Sequence, residues 1–220
     1  METVSKIRVV LIDSQQLMLE CLRDRLNSEL TISVVGTALN SDDGIRLVDE
    51  LQPDVIVADM EVPGRGVFES INDLRARHRQ LKILILTSLQ SDILLAHAIQ
   101  VKANGYVLKT EPLSAVIDAI QAVAAGHPVF SELIRSRLDF NSEQNSYTLK
   151  INQAAADLTA RQLEVLRHLA RGASVKEVAK LMHLSQKSVD SHKYRIMNKL
   201  GIHDRVDLTR YAIREQIIEA

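Results

Sequence analysis

The sequence predicts two domains of unlike class. The first is α/β, a doubly wound five-stranded parallel sheet; the second is all-α, with four helices. Three observations carry this. Across residues 1–125, blocks of Val, Ile and Leu alternate five times with segments whose apolar residues recur every three or four positions. After residue 157 no strand signal remains and proline is absent. Residues 1–150 carry a net charge of −5 and residues 151–220 a net of +4, within a chain of net −1. A chain of 220 residues accommodates two small domains.

The strand blocks are Arg8–Ile12, Ile32–Ala38, Val55–Ala58, Ile83–Leu86 and Tyr106–Leu108. Blocks this apolar suit strands buried on both faces, as in a parallel sheet covered by helices. The intervening helix faces are Leu17, Cys21, Leu22 and Leu26; Ile45, Val48 and Leu51; Val67, Ile71 and Leu74; Ile93, Leu94, Ala98 and Val101; and Val116, Ile117, Ile120 and Val123. This phasing places Cys21 in the core. Gly126-His127-Pro128 stops the fifth helix. Residues 126–156 are expected to be a linker with a short helix near Ser131–Leu138. The polar run Asn141–Ser146 has little to bury, and Tyr147–Ile151 alternates as a brief strand would.

From 157 onward four helices follow from their caps. Thr159 with Gln162, and Ser174 with Glu177, form capping boxes that open the first two. The first ends near Gly172 and the second at Leu181. Ser185 caps a third that Gly201 stops, and Asp204 caps a fourth running through Tyr211 and Ile217. The short second helix, a turn at Met182–Leu184 and the longer third have helix-turn-helix dimensions. Met182 is expected to pack in that turn.

Composition narrows the function. No apolar run approaches the ~18 residues that span a membrane, and the start of the chain lacks a signal peptide's apolar core. One cysteine can form no internal disulfide and supplies no zinc cluster. A cytoplasmic protein with no membrane partner is expected. Aromatics are 3% and Trp is absent, which disfavours a single-strand base-stacking surface. The basic second domain is the candidate for nucleic acid.

The chemistry of the first domain lies at its strand ends, where doubly wound sheets place their sites. Asp13 follows the first strand, Asp59 the third, Thr87 and Ser88 end the fourth, and Lys109 follows the fifth. In a parallel sheet these converge on one edge. Two carboxylates suit Mg2+, and a carboxylate can be a nucleophile toward phosphorus. A metal and a Lys ammonium neutralise transferred phosphoryl oxygens, and a hydroxyl can bond another.

The set Asp13, Asp59 with Pro63-Gly64, Leu86-Thr87-Ser88 and Gly105-Tyr106-Val107-Leu108-Lys109 resembles the flavodoxin-like receiver domain of bacterial response regulators over residues 6–125. The resemblance implies a receiver over 1–125. It implies that Asp59 accepts phosphate from a histidine kinase or a small phosphodonor, and that Asp13 and Asp59 hold Mg2+. Lys109 would pair with the phosphoryl group, Thr87 would swing toward it and Tyr106 would rotate with that Thr. The family usually has two adjacent acids after the first strand; here Ser14 follows Asp13, which is expected to weaken Mg2+ binding. Glu61 is either a partial replacement or an exposed loop acid.

Residues 157–220 resemble the LuxR-type helix-turn-helix domain of NarL/FixJ-type regulators. The resemblance rests on Leu158–Gln162, Val165-Leu166, Gly172, Glu177–Ala179, Leu184-Ser185, Lys187–Val189, His192, Ile196 and Lys199–Gly201. The third helix turns Val189, Ile196 and Leu200 inward and presents a polar, cationic face. Cations there can contact phosphates of double-stranded DNA, and short polar side chains can reach base edges. The resemblance puts Asp190, Ser191 and Tyr194 at base-facing positions, with Lys187, Arg195 and Lys199 on phosphates and Ser188 on the same helix. His192 either touches phosphate or sits at the domain edge. Homodimers on DNA are implied, through the fourth and fifth receiver helices with the fifth strand, the first and fifth helices, or the last helix around Val206–Tyr211.

The expected function is a transcription factor, not an enzyme, switched at Asp59. The alternative is a degenerate receiver controlled by dimerisation or a small ligand. Cyclic di-GMP is disfavoured, because His127–Glu132 lacks the Trp and Arg of the motif that binds it. A phosphatase of the haloacid dehalogenase type needs a second Asp two residues after the nucleophile, whereas here Glu61 stands there.

Overall fold

Six strands pair in parallel, in the order β2-β1-β3-β4-β5-β6. The computed structural model describes residues 5–141, 146–150 and 158–219. The elements are β1 (Ile7–Ile12), α1 (Gln16–Asn27), β2 (Ile32–Ala38), α2 (Ser41–Leu51), β3 (Val55–Ala58), α3 (Val67–Arg77), β4 (Lys82–Thr87), α4 (Asp92–Gln100), β5 (Gly105–Leu108), α5 (Leu113–Ala124), β6 (Val129–Phe130), α6 (Glu132–Arg135), β7 (Leu138–Asn141), β8 (Ser146–Leu149), α7 (Ala160–Ala170), α8 (Val175–Leu181), α9 (Gln186–Leu200) and α10 (Arg205–Arg214).

The chain divides into two compact units, residues 1–88 with 101–134 and residues 89–100 with 135–220. In the first, β3 and β5 are buried along their whole length. Side chains alternate across the pleat. Val9, Leu11, Val55, Val57, Leu84, Leu86 and Val107 pack with residues of α1 and α5. Ile12, Ile56 and Ala58 meet Ile45 of α2 and Val67, Ile71 and Leu74 of α3 on the opposite face. Helices thus cover both faces.

Three expectations need correction here. The sheet has six strands, not five: Val129 and Phe130 pair in parallel with Gly105 and Tyr106. Two residues are too few to show a period. On α1 the buried residues are Leu19, Leu22 and Leu26, while Leu17 is 72% exposed. Cys21 is exposed and not in the core. Leu17 and Cys21 form one stripe, and Leu19, Leu22 and Leu26 another, centred about 150° around the helix at 3.6 residues per turn; the sheet takes the all-leucine stripe. The short helix ends at Arg135, because Leu138 opens β7.

In the second unit, β7 and β8 form an antiparallel hairpin, with the Phe140 and Tyr147 rings 5.0 Å apart. The expected strand at Tyr147–Ile151 is met at Ser146–Leu149; Ile151 and residues 142–145 of the polar run lie outside the described residues. Arg137 donates to the Gln90 carbonyl at 2.6 Å and reaches Asp92 of α4 at 3.2 Å. His97 of α4 is buried. Its pKa is lowered, because burial outweighs the opposing influence of the Leu158 backbone.

Both capping boxes form, and Ser185 and Asp204 cap α9 and α10. Gly172 and Gly201 adopt positive φ at the helix stops. Met182 is buried in the turn. α10 ends at Arg214, short of the expected Ile217; Gln216 at φ 52° breaks the helix, yet Ile217 and Ile218 are still buried. Within α7, Glu164 and Arg167 form a buried ion pair at 3.4 Å.

Candidate functional site

Asp13 and Asp59 are each one residue past a strand, and Lys109 follows β5 directly. The ladder sets their spacing. Ile12 pairs with Ala58, Ala58 with Ile85, and Thr87 with Leu108, so the four ends emerge together. The backbone extends this register, with Asp59 N–H donating to the Ile12 carbonyl at 2.8 Å and Lys109 N–H to the Thr87 carbonyl at 2.9 Å. Lys109 Nζ lies 2.7 Å from Asp13 Oδ2 and 3.0 Å from Asp59 Oδ2. Thr87 and Tyr106 are fully buried.

Both Asp13 oxygens receive donors, since Oδ1 accepts from the Gln15 backbone N–H at 2.8 Å. Asp59 Oδ1 is buried and takes no hydrogen bond from the described residues. Burial raises the Asp59 pKa, the charges of Asp13 and Glu61 add to the rise, and Lys109 opposes it. Lys109 loses basicity to burial, but the bonds and charges of Asp13 and Asp59 outweigh that and raise its pKa. A raised carboxylate pKa means a more basic oxygen, which favours attack on an electrophile.

Mg2+ is the metal such a site implies. Among the described residues no three His, Cys, Asp or Glu side chains gather as a metal group. Mg2+ asks less, because it keeps several waters and uses one or two carboxylates. Asp13 with the buried Oδ1 of Asp59, which takes no hydrogen bond from the described residues, fits that demand. Ser14 is exposed and adds no charge.

The loop after Asp59 carries the Pro63-Gly64 of the sequence motif and then Arg65, which sequence patterns missed. Pro63 accepts at its carbonyl from the Ser41 N–H at 2.9 Å and the Ser41 hydroxyl at 3.2 Å. Gly64 has φ 119°, and a Cβ there would lie 2.1 Å from Ser41 Oγ. Arg65 donates from Nε to Asp42 of α2 at 3.0 Å and from Nη1 to Asp73 of α3 at 2.9 Å. These partners lie 23 and 8 residues away in the chain, so no local spacing reveals them.

On α9, Val189 and Ile196 are buried and Leu200 is half-buried. Lys187, Asp190, Ser191, Tyr194 and Arg195 are exposed, Tyr194 by 67%. Positions 187, 190, 191 and 194 are helix neighbours and share one face. Ser188 is half-buried, and its hydroxyl is 2.8 Å from that of the cap Ser185. Lys199 is turned back to Gln162 Oε1 of α7 at 3.1 Å. His192 is half-buried, and burial with the charges of Arg161 and Arg195 lowers its pKa.

Residues 9–121 match the family described as the response regulator receiver domain, and residues 156–212 match bacterial regulatory proteins of the luxR family. The transcriptional regulatory protein YxjL of Bacillus subtilis is 31% identical over 217 residues, covering 97% of this chain and 98% of its own. The response regulator UvrY of Escherichia coli is 30% identical over 214 residues, covering 97% of each chain. A solved structure of the RcsB response regulator of Salmonella typhimurium covers 96% of this chain and 99% of its own, with a TM-score of 0.76. Its identity is 24%, so that likeness speaks to the fold.

Proposed function

The chain belongs to the two-component response regulators that carry a luxR-family DNA-binding domain, and from that membership we propose that Asp59 is the phosphoacceptor that governs its action on DNA. The observation that carries this is the Lys109 ammonium within bonding distance of both Asp13 and Asp59 at one sheet edge. The donor is a histidine kinase or a small acyl phosphate. An Asp59 carboxylate oxygen attacks phosphorus and the new O–P bond forms, while the donor's own bond to phosphorus breaks: N–P as the kinase imidazole leaves, or O–P as the carboxylate of an acyl phosphate leaves. Lys109 neutralises charge on the phosphoryl oxygens. Thr87 supplies a hydroxyl from the end of β4, with Tyr106 buried on neighbouring β5. Bound Mg2+, held by Asp13 and Asp59, would supply further neutralisation of phosphoryl charge.

The reading takes residues 1–125 as receiver and 157–220 as the DNA-binding domain, acting in the cytoplasm. Among the described residues no helix is long and apolar enough to cross a membrane. The exposed face of α9 would enter the major groove of double-stranded DNA, and a homodimer would suit two half-sites. Lys199 is the weakest of the phosphate contacts, because its ammonium already serves Gln162. A metal-poor, weakly phosphorylated receiver is the second reading, favoured by exposed Ser14 and the two donors already on Asp13.

The deciding experiment incubates the full chain with acetyl phosphate and Mg2+ and reads intact mass. One phosphoryl adduct on wild type and none on Asp59→Asn is expected. Ser14→Asp should tighten Mg2+ binding. No adduct, with Mg2+ affinity unmoved by Ser14→Asp, would transfer the case to the second reading.

A further inference from the structure

The segment between Asp59 and α3 is tied down more firmly than its loop conformation requires. Its Pro63 carbonyl is held by two donors of Ser41, at the start of α2. Gly64 packs so closely on Ser41 that any side chain would collide. Arg65 then bridges outward in two directions, to Asp42 of α2 and Asp73 of α3. One planar guanidinium thereby joins both neighbouring helices to the loop, a geometry that a point-charge ammonium does not reproduce.

We infer that Arg65 is a positioning residue for phosphoryl transfer, holding the loop that begins at Asp59 in the geometry the acceptor needs. The inference rests on the phosphoacceptor reading above. Glu61 lies between the acceptor and Arg65 on this loop, and its charge acts on Asp59. Release of the loop would let both Glu61 and the acceptor's C-terminal flank drift. The ion pairs themselves are partly exposed, with side-chain exposures of 34% for Arg65, 39% for Asp42 and 46% for Asp73. Pairs so exposed contribute little to stability. Loss of Arg65 should therefore appear in the rate and not in the melting temperature.

The test compares wild type, Arg65→Ala and Arg65→Lys as full chains, with Asp59→Asn as control. Adduct formation from acetyl phosphate is followed by intact mass over a donor series, alongside thermal melting and amide hydrogen exchange of residues 60–66. Arg65→Ala should lower the saturated rate by up to about 10²-fold, the scale expected of a misplaced reacting group. The half-saturating donor concentration and the melting temperature should hold, while exchange of 60–66 quickens. Arg65→Lys should recover part of the rate. A wild-type rate in Arg65→Ala would overturn the inference, whatever the exchange shows. So would a slower rate with a matching fall in melting temperature, which marks a structural role, or an effect confined to half-saturation, which marks donor binding. No adduct on wild type, or an adduct retained by Asp59→Asn, would overturn the phosphoacceptor reading and this one with it.

Discussion

At the scale of single residues, the molecule places charge in two buried locations for different ends. At the sheet edge, Lys109 stands between two carboxylates, and on the proposed phosphoacceptor role of Asp59 it would shift its bonds to the incoming phosphoryl group. Lys109→Ala should slow adduct formation on Asp59 by on the order of 10²-fold, as removal of one preorganised charge donor does. Intact-mass kinetics at fixed acetyl phosphate measure this. In α7, Glu164 and Arg167 are buried together with nothing in transit between them. Burial raises the Glu164 pKa against the pull of Arg167 and Arg171. Arg167→Ala strands that carboxyl and should cost about 3–5 kcal/mol in denaturant melts. The double change Glu164→Leu with Arg167→Met should cost much less, because no charge is left behind. The sheet-edge residues were legible from sequence because strand ends in a parallel sheet share one edge. The Arg65 bridges were not, since their partners are set by tertiary approach of α2 and α3.

At the scale of elements, caps told more than periodicity. Both capping boxes and both Gly stops of the helical unit stand where their residue types require. Periodicity alone misphased α1, because two apolar stripes coexist on it and only packing on the sheet chooses between them. α9 has one apolar stripe, through Val189 and Ile196, and its polar face is therefore unambiguous. Lys187→Ala and Arg195→Ala spare that stripe, so the fold should survive. Each should weaken binding to all DNA sequences alike and reduce the slope of log K against log salt by about one. Tyr194→Ala should instead cost about 1–3 kcal/mol on the preferred site and less on unrelated DNA. Binding isotherms on both DNAs across a salt series separate these outcomes. Equal losses on both DNAs for all three would reduce α9 to an electrostatic contact.

At the scale of the whole chain, the grouping of residues 89–100 with 135–220 gives α4 a place that a sequence-ordered division would not assign. Arg137 holds it there through the Gln90 carbonyl and Asp92, and His97 on the same helix is buried. A lowered His pKa means that the unfolded chain binds the proton more readily. Stability from His97 is therefore complete above the ordinary histidine value of 6.5 and is lost as pH falls below it. The melting temperature of the full chain should drop from pH 7 to pH 5.5, and His97→Gln should flatten that drop. Parallel melts of the two proteins decide it; identical slopes would remove His97 from the account. The sheet also has a bearing on how copies of the chain behave when crowded. Open sheet edges are templates on which foreign strands can add. At one end β6 offers only two residues. At the other, β2 is seven residues long, but a register shift against β1 disrupts its ladder, and the Val34 N–H is already bonded to the Asn27 side chain at 2.8 Å. The parallel sheet therefore offers a foreign strand a two-residue border at one end and, at the other, a longer border whose ladder is shifted and one of whose donors is already engaged.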